Sequence, residues 1–72
     1  MLKNKEERKQ MAMTAINTLK NGIENESISL IINAFEFTND STFSWLDLDD
    51  LFIEWNALCE DANDILNKIY EY

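Results

Sequence analysis

Proline and histidine are absent from this 72-residue chain, cysteine and glycine occur once each, and there are only six bases. Each shortage excludes something. Without histidine there is no Cys/His cluster for a metal, and acid–base catalysis loses its most common agent. A single cysteine cannot form an internal disulfide, and it fits a reducing compartment. That residue, Cys59, lies beside an apolar seam in a stretch without bases. It therefore reads as a small hydrophobe and not as a reactive thiol. No catalytic residue, cofactor or metal is expected, and the chain is not expected to be an enzyme.

No apolar run approaches the roughly 20 residues that cross a bilayer. The N-terminus is charged and lacks the apolar segment of a signal peptide. A cytoplasmic protein without membrane contact is expected. There is no repeat and no low-complexity segment, so residues 1–72 read as one domain. A domain of this size buries only roughly 60% of its unfolded surface. With neither disulfide nor metal to help, such a chain is a candidate for an oligomer or for stabilisation by a partner.

Charge is scarce in one sign and abundant in the other. The net charge is −8. Residues 1–10 hold Lys3, Lys5, Arg8 and Lys9 against Glu6 and Glu7. Between Lys20 and Lys68 there is no base, while eleven acids fall in that interval. Such a body repels nucleic acid and anionic membranes and attracts basic surfaces.

The longest pattern runs from Ser44 to Tyr72. Leu48, Leu51, Trp55, Leu58, Ala62, Ile65, Ile69 and Tyr72 repeat at alternating steps of three and four. That is one face of a helix. Phe52, Cys59 and Leu66 widen the stripe enough to pack against two neighbours. Ser44 and Asp47 have capping-box spacing, with Phe43 and Leu48 at the positions of a hydrophobic staple. A second register has Asp47 as the cap, preceded by a short separate turn. Asp47, Asp49 and Asp50 suit the helix start, and Lys68 suits its end.

A first helix is predicted over residues 2–20, with a narrow seam of Ala12, Ile16, Leu19 and Ile23 beside Ala15. Its first turns have little to bury, so residues 1–9 are expected to fray or project as a basic arm. Asn21-Gly22 reads as the stop. Residues 25–37 carry both a strand-like alternation (Ile28, Leu30, Ile32) and a polar stripe at helical spacing (Asn25, Ser29, Asn33, Glu36). The stripe decides for helix. This helix is apolar over most of its surface, which asks for a central position or a partner chain. The predicted fold is therefore all-α: a small three-helix bundle with a long C-terminal helix over about 45–71, lying against the other two. A homodimer is one way to cover the second helix.

The candidate site is the outer side of the third helix. Asp47, Asp50, Glu54 and Asp61 run along one edge, and Asp49, Glu60 and Asp64 lie toward the other edge and the back. No base in the same segment neutralises them. Asp47, Asp50 and Glu54 share a flank that could hold a loose divalent ion, but the calcium-loop spacing is lacking. Leu46 and Ile53 point away from the seam and form an apolar patch rimmed by acids. Trp45 and Trp55 read as core or interface residues. A helix-turn-helix DNA reader is excluded because the would-be recognition helix is the most acidic part.

These features predict a binding protein that inhibits or modulates a basic partner. That partner is expected to be a nucleic-acid-binding protein whose positive groove the carboxylates occupy in place of phosphates. Small inhibitors carried by phages and mobile elements, including those aimed at CRISPR effectors, have this general profile. The alternative is a self-associating module, or an antitoxin or immunity-type protein that binds through apolar surface.

Overall fold

A computed structural model describes residues 1–70, the side chain of Tyr70 excepted. It contains three helices, α1 (Lys5–Glu24), α2 (Ile28–Thr38) and α3 (Asp49–Tyr70), and no strand among the described residues. The all-α prediction holds, and the helical stripe of residues 25–37 outweighs their alternation. Tyr72, the last member of the heptad seam, lies outside the described residues.

The helix at the centre is α1, not α3 or α2. It packs against both of the others, whereas α2 and α3 touch much less. Their meeting point is an edge-to-face contact of Phe35 with Trp55, ring centroids 5.7 Å apart. The reason is in the α1 face. Ala12, Ala15, Ile16, Leu19 and Gly22 are all buried, and three of these five, the two alanines and the glycine, are small enough to let neighbouring backbones come close. Leu19 and Ile31 are the largest fully buried side chains, each stabilising by about 1.5–3 kcal/mol relative to exposure.

Gly22 does not end α1. The helix continues to Glu24, and Glu26 takes the left-handed conformation at φ 49°. Gly22 is instead where α2 crosses. A Cβ placed on it would lie 2.9 Å from Ile31 Cγ1 and 3.0 Å from the Ile31 backbone nitrogen, closer than side chains tolerate. Ser27 then caps α2, its hydroxyl accepting from the Leu30 amide.

Residues 3–9 do not project. Asn4 caps α1 in a reciprocal arrangement with Glu7: its side-chain oxygen accepts from the Glu7 amide at 2.8 Å, and its side-chain amide donates to the Glu7 carboxylate at 3.0 Å. The Lys3 amide donates to the Thr42 carbonyl at 2.8 Å. Arg8 is only 6% exposed. Its guanidinium donates to the carbonyls of Lys3, Ser44 and Leu46 at 2.9, 3.1 and 2.6 Å. Arg8 stands one step before Ala12 on the seam, so the first turns of α1 do bury something: a cation held by carbonyl dipoles.

Those bonds fix the start of α3. The helix begins at Asp49, five residues after Ser44. Ser44 is no capping residue for it; its hydroxyl accepts from the Leu46 amide within a turn. Residues Trp45–Leu48 close that turn through a 2.9 Å bond from the Leu48 amide to the Trp45 carbonyl. Asp47 sits in it at φ 63°, a region that Asp tolerates better than most residues. Leu48, not Asp47, gives the first helical carbonyl, which accepts from the Phe52 amide. Leu48 is buried with Phe43 and Ala12 in a small second cluster. Trp45 joins that cluster to the main one, its ring 4.9 Å from Phe43, 5.3 Å from Phe52 and 5.7 Å from Trp55. Trp55 is core, as predicted, and Trp45 is half-buried against both clusters.

Candidate functional site

The predicted seam of α3 faces inward. Leu48, Trp55 and Ala62 are buried, and Leu51, Leu58, Ile65 and Ile69 are half-buried. This orientation turns the acids outward, and all seven predicted site acids are exposed. Their surroundings differ from the expected unbroken rows in three ways.

First, Asp47 and Leu46 are not on the helix. Asp47 therefore does not extend the edge formed by Asp50, Glu54 and Asp61. Leu46 is not seven helical residues from Ile53, although both are well exposed, at 62% and 67%. Second, packing brings bases from α1 to the first turns of α3. Lys5 and Lys9 share an open depression of about 390 Å³ with Asp47, Asp49 and Asp50. Third, Lys20 makes a 3.0 Å ion pair with Glu54, both side chains nearly half exposed. An exposed pair of this kind contributes little to stability, but it does cancel charge locally. The sequence interval without bases is thus not a region of space without bases.

What remains is the second half of α3. Glu60, Asp61 and Asp64 lie within about a 100° arc of its outer side. Among the described residues the Lys20–Glu54 contact is the one ion pair within 4 Å, so none of these three carboxylates is paired. Lys68 stands one helical turn beyond Asp64 and is exposed.

The other chemistry-bearing groups have local roles. No group of three or more Asp, Glu or Cys among the described residues is assembled to hold a metal ion, and that includes Asp47, Asp50 and Glu54. Cys59 is half-buried against the core, and burial pushes its thiol pKa up, away from reactivity. The side-chain and backbone bonds from Thr42 hold the Asp40 carboxyl below its usual range, with Lys3 adding to the effect. No helix among the described residues is long and apolar enough to cross a membrane.

A feature not read from the sequence is an open groove between α1 and α2 of about 440 Å³, lined by Met11, Thr18, Leu30, Asn33, Glu36, Phe37 and Asp40. The signal was present as the apolar excess of the second helix, but its location depends on which side α1 covers. Comparison with known protein families, curated proteins and solved structures finds no match.

Proposed function

We propose that this chain is a non-enzymatic binding protein that inhibits or modulates a basic, nucleic-acid-binding protein. The observation that carries this reading is the unpaired trio Glu60, Asp61 and Asp64 on the outer side of α3. Carboxylates fixed on a helix present negative charge at regular spacing, and a basic groove shaped for phosphates can accept them. Asp47, Asp49, Asp50 and Glu54 contribute more weakly, because Lys5, Lys9 and Lys20 lie beside them. Direct nucleic-acid binding is disfavoured by the same geometry. Arg8 is used inside the fold, Lys3 is tied to Thr42, and Lys5 and Lys9 face acids of their own chain.

The test is affinity capture from a host lysate at low and high salt. Wild-type protein is compared with a variant carrying Glu60→Lys, Asp61→Lys and Asp64→Lys. Exposed charges are screened beyond about 8 Å at physiological ionic strength, so retention of the partner should fall with salt and with charge reversal. Retention by the reversed variant at wild-type level would sink the reading.

The apolar alternative has its own observation. Among the described residues, Leu46 and Ile53 are more exposed than any other large hydrophobic residue except Met1. An interaction module or an antitoxin or immunity-type protein would use them as anchors. Partner capture would then survive high salt and be lost in Leu46→Ser with Ile53→Ser.

A further inference from the structure

The second helix is apolar around most of its circumference, yet it is neither central nor covered. Ile31 and Ala34 are its buried residues, while Ile32 remains 47% and Phe37 38% exposed. Phe37 opens into the groove shared with α1. Met11 and Thr18 line one wall, seven residues apart on α1, and Leu30 and Phe37 line the other, seven apart on α2. Seven residues are two helical turns, so each wall runs for about 10 Å along its helix. Helices α1 and α2 are antiparallel here: Gly22 meets Ile31, and Met11 shares the groove with Phe37. A straight furrow of two turns between two helices suits a third helix laid into it. Met and Phe side chains adapt to an apolar residue entering from outside.

Charge selects the occupant. Glu36 and Asp40 stand in the lining, and no base does. Asp40 Oδ1 accepts both bonds from Thr42, which leaves Oδ2 for an external donor. Lys3 donates to the Thr42 hydroxyl instead of to Asp40. A second copy of this chain would bring a net charge of −8 to an acidic rim, so it is the less favoured occupant. We infer that the α1–α2 groove is a docking site for a basic amphipathic helix, with an apolar anchor seated on Leu30 and Phe37 and flanking Lys or Arg at Glu36 and Asp40. No residue of α3 lines the groove, so this inference stands or falls apart from the acidic trio of α3.

The experiment titrates the isotopically labelled full chain with a synthetic helical peptide of Leu at i, i+3, i+4 and i+7 and Lys elsewhere. A matched peptide with Glu in place of Lys is the control. Amide shifts should cluster at Met11, Thr18, Leu30, Phe37 and Asp40 with the Lys peptide. Affinity should fall at least tenfold in Phe37→Gln and about threefold or more in Glu36→Gln with Asp40→Asn. Phe37 is partly exposed, so a native amide spectrum for Phe37→Gln is the check that the variant folds. The charge variant, placed on exposed residues, serves if it does not. Equal binding of the Glu peptide overturns the inference. So do shifts confined to the α3 acids, or a groove occupied by self-association and unresponsive to peptide.

Discussion

The guanidinium of Arg8 and the carbonyl of Leu46 are joined by a 2.6 Å hydrogen bond across 38 residues of sequence. With the companion bond to Ser44, it ties the first turns of α1 to the loop that launches α3. It holds the backbone of the turn inward and leaves the Leu46 side chain in solvent. Replacing Arg8 by Met keeps much of the apolar stem and removes all three bonds. Bonds from a charged donor each contribute about 1.5–3 kcal/mol, and carbonyls left unpartnered add a penalty. We expect Arg8→Met to lose about 2–4 kcal/mol in urea unfolding. Arg8→Lys should not restore this, because one ammonium group cannot reproduce the planar fork. A loss below about 0.5 kcal/mol, the range of ordinary surface substitutions, would contradict the account.

Gly22→Ala separates packing from helix propensity. In an exposed helix the change would stabilise by about 1 kcal/mol. Here the new methyl meets both the side chain and the backbone of Ile31. Overpacking of this kind costs about 1–3 kcal/mol. Net destabilisation is expected, read as a lower thermal midpoint. A raised midpoint would show that α2 can move away from α1 freely.

Much of the fold is legible in the chain. The seam of α3 and the polar stripe of Ser29, Asn33 and Glu36 each announce a helix through local spacing. The start of α3 is only partly legible. Ser44 and Asp47 spell a capping box, and the second register does hold a short separate turn. Asp47 falls inside that turn and not at the cap, because the remote Arg8 captures the Ser44 and Leu46 carbonyls. Gly22 is a stop signal by composition and a helix crossing by position. The candidate site suffers from the same distance effect. Lys5, Lys9 and Lys20 are remote in sequence from Asp47, Asp49, Asp50 and Glu54, and only the packing of α1 on α3 brings them alongside. The α1–α2 groove was implied by apolar excess without being located.

Ser27→Ala tests whether α2 depends on its cap. The Ser27 hydroxyl accepts from the Leu30 amide at 3.3 Å, a long bond. Loss of a serine cap costs about 1 kcal/mol in typical helices, and this one should fall at or below that value. Hydrogen exchange should speed up at the first amides of α2 and leave α3 unchanged. Uniform acceleration through all three helices would indicate that α2 has no local opening of its own.

Asp40 supplies a pH signature. Its carboxyl is held below the usual range, first by the Thr42 side-chain bond, then by the Thr42 backbone bond, with a smaller contribution from Lys3. A carboxyl depressed in the folded state adds stability that is complete above its unfolded pKa of about 4. That stability is lost as pH falls through the lower folded value. Asp40→Asn should therefore be less stable than wild type at neutral pH, and the difference should shrink below about pH 4. A difference independent of pH would mean that the Thr42 bonds do not distinguish carboxylate from amide.

The central claim is that the carboxylates of α3 take the place of nucleic-acid phosphates on a basic protein. The most direct measurement is a competition titration on the captured partner with its own labelled nucleic acid. The account predicts that wild-type protein displaces the nucleic acid as binding saturates. It also predicts that Glu60→Lys with Asp61→Lys and Asp64→Lys displaces it at least tenfold less effectively. A stable ternary complex, with nucleic acid retained at saturating protein, would contradict it.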